Sequence, residues 1–296
     1  MLYIRGINMA INGRDFPPML GIVLVNYREY NRTERFIREE ISRIRYPYRL
    51  VIVDNGGNPD QAEALRERTG CKVLVRENDG YAAGCNAGAA ELCTHPDVDV
   101  LLFTNNDLHL VSDDVVERLV EKLKELPDIG VIGPEIIGMD GKRQSPEPYM
   151  GLWKRYVWMY LSTPFLSRAA KRRFFALDTA EKATEGECYR VMGSFFLCTR
   201  EAWELTGGMD TGTFLYAEEP ILSERMLRVG RKTYYLPSVT VVHEHGGTIL
   251  KHLEPKEAAW LQYQSNAYYY KTYKGYPDWQ TKLVGWIYRL LLFLKP

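Results

Sequence analysis

Four apolar runs, each leading within three residues into an asparagine or aspartate, constrain this chain more than any other feature. Val100-Leu-Leu-Phe103 runs straight into Thr104-Asn-Asn-Asp107, a β-branched and aromatic stretch that stops abruptly at two amides and a carboxylate. The same pattern recurs upstream. Leu20 to Asn26 ends in Asn26-Tyr27, Leu50 to Val53 ends in Asp54-Asn55-Gly56-Gly57, and Lys72 to Val75 is followed by Asn78-Asp79-Gly80. Each run reads as a buried strand. Ligands of open α/β sheets sit just beyond the carboxyl ends of the strands, so polar groups gathered there become candidate contacts. An oxygen-rich tip suits a hard divalent cation, and such a cation suits a diphosphate. An Asn-rich turn is the plain alternative.

Helical segments alternate with these strands. Asn31 with Glu34 matches a capping box ahead of Phe36, Ile37, Ile41 and Ile44. Asn58-Pro59 opens a second helix and Gly70 closes it. Gly80, Gly84 and Gly88 fall at intervals of four, which puts them on one face of a third helix. That spacing is not the dinucleotide G-x-G-x-x-G and predicts close helix–sheet packing. Asn86 is a poor helix former there and predicts a polar role. Ser112-Asp113-Asp114 opens a fourth helix with Val115, Val116, Leu119, Val120 and Leu123 inward, ending before Pro127. Val131-Ile132 reads as a short strand and Asp140-Gly141 as a hairpin turn. The alternation predicts an α/β fold with a mostly parallel central sheet and helices on both faces.

Beyond residue 145 the texture changes. Trp153, Tyr156, Trp158, Tyr160, Phe165, Phe174 and Phe175 are interleaved with Lys154, Arg155, Arg168, Lys171, Arg172 and Arg173. Strand-like Tyr189 to Thr199 and a helix through Leu222, Met226 and Leu227 come next. Strand-like Thr233 to Leu236 and Val239 to His243 follow, then a helical stretch over 255–274. The last apolar stretch, Leu283 to Leu294, reaches only about 18 Å as a helix, short of the roughly 30 Å hydrocarbon core of a bilayer. It is read either as an interfacial segment, with Trp286 and Tyr288 at headgroup depth and Lys282, Arg289 and Lys295 near phosphates, or as packing by Leu290, Leu291 and Phe293 on the domain or a second subunit.

Charge excludes one class of partner. The 38 Lys and Arg balance 38 Asp and Glu, so no chain-wide basic footprint points to nucleic acid. Five cysteines without a C-x-x-C predict free thiols in a reducing, cytoplasmic setting. No apolar core precedes a small-residue cleavage site near the start, so no signal peptide is expected.

These pieces, in this order, resemble the family-2 inverting glycosyltransferases of the GT-A fold, especially the rhamnosyl- and galactofuranosyl-transferase-like branch. The match runs over roughly residues 19–250. It comprises Val25-Asn26-Tyr27, Val53-Asp54-Asn55-Gly56, Asn78-x-Gly80-x-x-x-Gly84-x-Asn86-x-Gly88 and Thr104-Asn-Asn-Asp107. Gly208-Met-Asp210, Phe214-x-Tyr216-x-Glu218-Glu219, Arg225, Gly230 and His243 complete it. The resemblance implies that Asp54 reads the base or ribose of a nucleotide sugar. Asn26, Tyr27, Asn78, Gly80, Asn86, Asn105 and Asn106 line the same donor site. It also implies Asp107 and His243 as ligands of Mn²⁺ or Mg²⁺, Glu219 as catalytic base, and Glu218 as its neighbour orienting a loop or the acceptor. The nitrogen ligand favours Mn²⁺. The implied reaction is inverting transfer from a UDP- or dTDP-sugar to a hydroxyl of a glycan or lipid-linked acceptor. The implied place is the cytoplasm, with peripheral contact at the inner face of the membrane through the tail and with a homodimer admitted.

The expected division is an N-terminal arm (1–18), a nucleotide-sugar half (19–135), an acceptor and catalytic half (136–250) and a C-terminal helical extension (251–296). Three positions depart from the family pattern: Asn105 stands for the first Asp of D-x-D, Glu219 for the usual Asp, and Pro220-Ile221 for a continuation that commonly holds a further Asp. The alternatives are a sugar-phosphate nucleotidyltransferase, which would need a glycine-rich phosphate loop after the first strand, and a non-catalytic carbohydrate-binding relative.

Overall fold

The computed structural model describes residues 19–162, 165–175, 183–244 and 254–294. The expected N-terminal arm, His245, His252 and Lys295 lie outside these residues. Strands β1 (Met19–Asn26), β2 (Tyr48–Asn55), β3 (Lys72–Arg76) and β4 (Val98–Thr104) are all parallel, in the order β3-β2-β1-β4. Helices α1 (Tyr30–Glu39), α2 (Pro59–Thr69) and α3 (Tyr81–Leu92) connect them. Side chains alternate across β1, as a strand's period of two requires. Leu20, Ile22 and Leu24 enter the core with Phe36, Ala62 and Leu65, while Val23 faces Cys85, Ala89 and Trp203 on the opposite side.

The chain then reverses into β5 (Leu108–Leu110), α4 (Val115–Glu125) and β6 (Ile129–Gly138). A π-helical turn, Lys154–Trp158, runs into α5 (Met159–Leu161), followed by α6 (Arg168–Phe174), β7 (Gly186–Cys188), β8 (Phe195–Thr199) and α7 (Arg200–Thr206). Helix α8 (Glu218–Arg228), β9 (Lys232–His243), α9 (Pro255–Lys274) and α10 (Asp278–Phe293) complete the described chain. One sheet continues from β4 through β8, β6 and β9 to β5, with β7 also paired to β9. The long β6–β9 pair is parallel, and β8 runs antiparallel between β4 and β6. The fold is α/β, with helices on both faces of the sheet and a C-terminal helical region.

Local signals behave unevenly. Asn58 caps α2 through Asp60 N–H, Pro59 takes the first turn and Gly70 ends it in the left-handed conformation. Gly88 packs where a Cβ would sit 2.5 Å from Val23 Cγ1, so the glycine face of α3 lies hard against β1. Asn31, by contrast, is inside α1, which starts one residue earlier behind Glu29 with no side-chain cap. The short strand expected at Val131-Ile132 is ten residues long and contains Pro134. The two strands expected between Thr233 and His243 are one, and the register shifts against β6 at Pro134/Glu135.

Helices α9 and α10 are no loose appendage. Tyr263, Tyr269, Tyr270, Val284, Tyr288 and Leu292 form a third core with Tyr156 and Val157, and Ala217 and Ile221 join it. Several of its phenols are satisfied internally: Tyr263 donates to Thr281 O, and Tyr160 and Tyr288 pair at 3.2 Å, whereas the Tyr156 hydroxyl is buried without a hydrogen-bond partner. Tyr288 is therefore buried, not at headgroup depth. The tail packs through Val284, Tyr288 and Leu292, while Leu290 and Phe293 face outward.

Candidate active site

The carboxyl ends of β1, β2 and β3 surround a cleft of about 570 Å³ lined by Tyr27, Arg28, Gly56, Gly57, Arg76 and Asn78, among others. Arg28 adopts φ 59°, and its guanidinium sits 5.2 Å from the centre of the Tyr27 ring. Asp54 is fully buried behind this lining. Asn26 Nδ2 donates to Asp54 Oδ1 at 2.8 Å and Tyr30 OH to Oδ2 at 2.9 Å. Burial raises the Asp54 pKa, against the pull of these two donors. The chain of bonds continues from Asn106 Nδ2 to Thr33 Oγ1, and from Thr33 to Asn26 Oδ1, each 2.8 Å. Asn26, Asp54 and Asn106 thus form an internal brace from the tip of β4 to the tip of β2. Of the expected donor residues, Tyr27 and Asn78 are the ones that line the cleft.

Asn78 is held in turn. Its Oδ1 accepts from Asn55 Nδ2 at 3.1 Å and Gly80 N–H at 3.2 Å. Gly80 opens α3 at φ 99°, and a Cβ there would meet Phe214 O at 2.3 Å, so only glycine fits. Asn86 faces away from the cleft. It grips the backbone of Met209 with both ends of its amide, 2.8 Å to the carbonyl and 2.9 Å from the N–H.

The chain reversal after Asp107 pairs Leu108 with His243. Asp107 Oδ1 ends up buried, without a hydrogen-bond partner and 3.4 Å from His243 Nε2. His243 Nδ1 lies 2.9 Å from Gln144 Oε1. An amide oxygen only accepts, so Nδ1 is the donor to Gln144, and in the neutral imidazole the Nε2 lone pair is the one turned toward Asp107. A carboxylate oxygen and an imidazole nitrogen presented together fit Mn²⁺ or Mg²⁺, the nitrogen favouring Mn²⁺. Among the described residues no cluster of three or more His, Cys, Asp or Glu side chains could hold a metal ion. The remaining positions of such a cation would therefore fall to donor oxygens and water.

The acidic pair opens α8 after two consecutive residues with positive φ, Tyr216 at 70° and Ala217 at 69°. Backbone held this way by residues other than glycine is strained, and such strain collects at functional sites. Glu219 Oε1 accepts from Gly193 N–H at 3.2 Å, and Oε2 lies 3.7 Å from Arg190, itself paired with Glu147. Tyr81 OH reaches Gly193 O at 3.3 Å and Asn105 Oδ1 at 3.2 Å, while Asn105 N–H donates to Ser194 O at 2.9 Å. The tip of β4, the start of α3 and Glu219 therefore converge on Gly193-Ser194. Glu218 is buried, with Oε1 unpartnered. Burial first, and then the Glu219 charge, push its pKa up to about 8.

A family model described as glycosyl transferase family 2 matches residues 21–185, more than half of the chain. The chain belongs to that family. The curated N-acetylglucosaminyl-diphospho-decaprenol L-rhamnosyltransferase of Mycobacterium tuberculosis is 25% identical over 246 residues, covering 76% of each protein. Among solved structures, the mannosyltransferase PcManGT of Pyrobaculum calidifontis, in complex with GDP-Man and Mn²⁺, superposes with a TM-score of 0.57 at 14% identity. That alignment covers 94% of this chain and 70% of the other. The glucosyl-3-phosphoglycerate synthase of M. tuberculosis, with Mn²⁺, UDP and its product, gives 0.52 at 16% identity, over 88% and 81%. At these identities the structural likeness speaks for the fold alone. The family-2 chain is a glycosyltransferase working by nucleotide-sugar transfer, and the nucleotidyltransferase alternative falls away.

Several members of this family-2 site escaped sequence reasoning. Tyr30 and Thr33 brace Asp54, and Thr33 carried a usable signal: it lies three residues before Phe36 on the inward stripe of α1, where a polar residue needs a partner. Asn55 followed directly on an assigned residue. Gln144, Arg190 and Gly193 had no local signal, because each acts on a residue 26 or more positions away.

Proposed function

We propose that this glycosyltransferase transfers a sugar, with inversion, from a UDP- or dTDP-sugar to a hydroxyl of a glycan or lipid-linked acceptor. The observation that carries the proposal is the Glu219 carboxylate, fixed by Gly193 N–H at the junction with the β4 tip. A single in-line displacement needs one base for the incoming hydroxyl and a stabilised leaving group. The cleft beyond β1–β3 takes the nucleotide, with Tyr27 as a ring for the base and Gly56, Gly57 and Asn78 offering backbone and amide groups. Asp54 acts from behind as a brace. Asn105 and Asn106 belong to the β4 tip that carries the donor's phosphates toward Asp107. Asp107 and His243 would hold Mn²⁺ or Mg²⁺, which when bound would supply Lewis-acid neutralisation of the charge developing on the diphosphate.

Glu219 takes the acceptor hydroxyl's proton, and Arg190 holds it on the acceptor side. Glu218, kept protonated at neutral pH, orients the start of α8 without a second negative charge at the acceptor. We assign residues 19–135 to the donor half and 136–250 to the acceptor half. The relative's name specifies a diphospho-decaprenol acceptor, which supports a polyprenyl-diphosphate sugar as substrate here. Free thiols at Cys71, Cys85, Cys93, Cys188 and Cys198 support a cytoplasmic enzyme meeting that acceptor at the inner face of the membrane.

The test is incubation of UDP-, dTDP- and GDP-sugars, Mn²⁺ and either a polyprenyl-diphosphate-linked sugar or a free oligosaccharide, with the product's anomeric configuration read by NMR. One nucleotide sugar should yield product with inverted configuration on the lipid-linked acceptor. Retained configuration would overturn the mechanism, and transfer to the free oligosaccharide alone would overturn the polyprenyl-diphosphate acceptor in favour of a free glycan.

A further inference from the structure

Helix α10 is apolar on two opposite faces. Thr281, Val284, Gly285, Tyr288 and Leu292 are buried against the protein. At 100° per residue, Trp279, Leu283, Trp286, Leu290 and Phe293 form a stripe turned away from them. All five are exposed, Trp286 at 70% and Phe293 at 79%. A contiguous apolar patch of this kind on a folded surface marks an interaction site.

Charge decides between occupants. Helix α10 carries one acidic residue, Asp278 at its first position, already paired with Lys282 at 2.6 Å and Lys271 at 2.7 Å, and residues 279–296 add none while holding Arg289 and Lys295 besides. The π-helical turn Lys154–Trp158 packs on α10, with Trp153 Nε1 donating to Gln280 and Tyr156 meeting the Tyr288 ring. It leads to α6, whose Phe174 lies under Lys154. From residue 148 to 177 there is again no acidic residue, against six Lys and Arg. Trp158, Phe165 and Phe174 are exposed within that segment. A second copy of the chain would place Arg289 and the basic segment around α6 against their own counterparts, with Asp278, already paired with Lys271 and Lys282, as the single carboxylate of α10. An anionic surface with an apolar interior answers both features, since tryptophan settles at headgroup level and lysine or arginine meets lipid phosphate.

We infer that the exposed stripe of α10, flanked by the basic segment around α6, docks this enzyme on an anionic phospholipid bilayer as an interfacial helix. Sixteen residues span only about 24 Å as a helix, so α10 lies in the surface and does not cross it. Among the described residues no helix is long and apolar enough to cross a membrane. The inference deepens the acceptor reading by naming the lipid surface, but vesicle binding is read without any transfer reaction, so the two fail separately.

The experiment is co-sedimentation of the full chain with vesicles of phosphatidylcholine alone or mixed with phosphatidylglycerol. Thermal unfolding and Mn²⁺-dependent UDP binding are followed in parallel. The protein should pellet with the mixed vesicles, less with phosphatidylcholine alone, and less as salt rises. W286E/L290E changes two exposed residues and should lower partitioning at least about tenfold, because two large side chains lose burial in the bilayer, with unfolding and UDP binding unchanged. K171E/R172E/R173E should remove the preference for phosphatidylglycerol. Absence of pelleting, or equal pelleting by W286E/L290E, would overturn the inference. So would a dimer in light scattering that W286E/L290E converts to monomer, which would give the face to a second copy.

Discussion

Glu219 Oε1 and the backbone N–H of Gly193 meet at 3.2 Å, and the approach leaves no room for a side chain between them. A Cβ on residue 193 would lie 2.7 Å from Oε1 and 2.8 Å from Cγ of Glu219. The requirement for glycine is spatial: no positive φ is involved. Gly193→Ala should therefore displace the carboxylate and lower kcat by about 10²-fold, the scale of a 1 Å misplacement. Nucleotide-sugar affinity, measured by calorimetry, should stay unchanged. An equal loss in donor binding would show that Gly193 serves the cleft.

Glu219→Gln keeps the shape and hydrogen-bonding reach but removes the proton acceptor. The expected fall in kcat is roughly 10²–10⁴-fold at nearly constant donor Kd. Glu218→Gln should have the smaller effect, felt mainly in acceptor KM. If Glu218→Gln is the dead variant and Glu219→Gln turns over normally, the two roles are exchanged.

The buried Glu218 also makes stability depend on pH. In the unfolded chain it ionises in the usual carboxylate range. In the fold it keeps its proton up to about 8. Between those values the native state binds more protons than the unfolded state, so this residue's contribution is fully present at low pH and declines as pH rises toward 8. Urea midpoints of the wild type against Glu218→Gln should diverge with rising pH across that window, the variant becoming relatively more stable. Parallel curves would place Glu218 in contact with solvent.

For the cation, EDTA should abolish transfer and Mn²⁺ restore it, and Asp107→Ala should lose Mn²⁺-dependent UDP binding in calorimetry. Gln144→Leu removes the acceptor that fixes the His243 tautomer. It should weaken Mn²⁺-dependent UDP binding by about 10–100-fold, the usual cost of losing a residue that orients a metal ligand. Full activity in EDTA would assign the diphosphate charge to a basic side chain.

Asn86→Ala would strip partners from both Met209 N–H and C=O. Leaving such groups unsatisfied costs about 1–3 kcal/mol each when buried, so chemical denaturation should register a clear loss of stability, while donor binding, on the far side of α3, should hold.

The parts legible from sequence were those encoded within a few residues. Asn58-Pro59 and Gly70 bounded α2, and the stripe from Val115 to Leu123 gave the inward face of α4, because caps and helical periodicity are local properties. The polar strand tips were legible for the same reason. What the tips do was not. Asn26 and Asn106 look identical in sequence to cleft-lining amides, yet Thr33, from the inward face of α1, draws both into a buried brace. Glycine and proline at 133 and 134 hid the length of β6, whose irregularity is absorbed by a register shift against β9. The tail misled in one further respect: Tyr288 and Trp286 are equally aromatic, and only the packing of Tyr156 and Tyr263 reveals which faces inward.

Ala217 and Ile221, at the start of the helix that carries the acidic pair, share their packing with Tyr263, Val284 and Tyr288. Ser265 adds a hydrogen bond to Leu215 O at 2.6 Å. The chain is made from its amino end, and domains form as their residues emerge. The seat of Glu218 and Glu219 therefore cannot be complete while the last helices are still being synthesised. A chain lacking those helices has no packing partner for the start of the helix that carries the acidic pair, so the order of synthesis makes the base the last part of the site to be set.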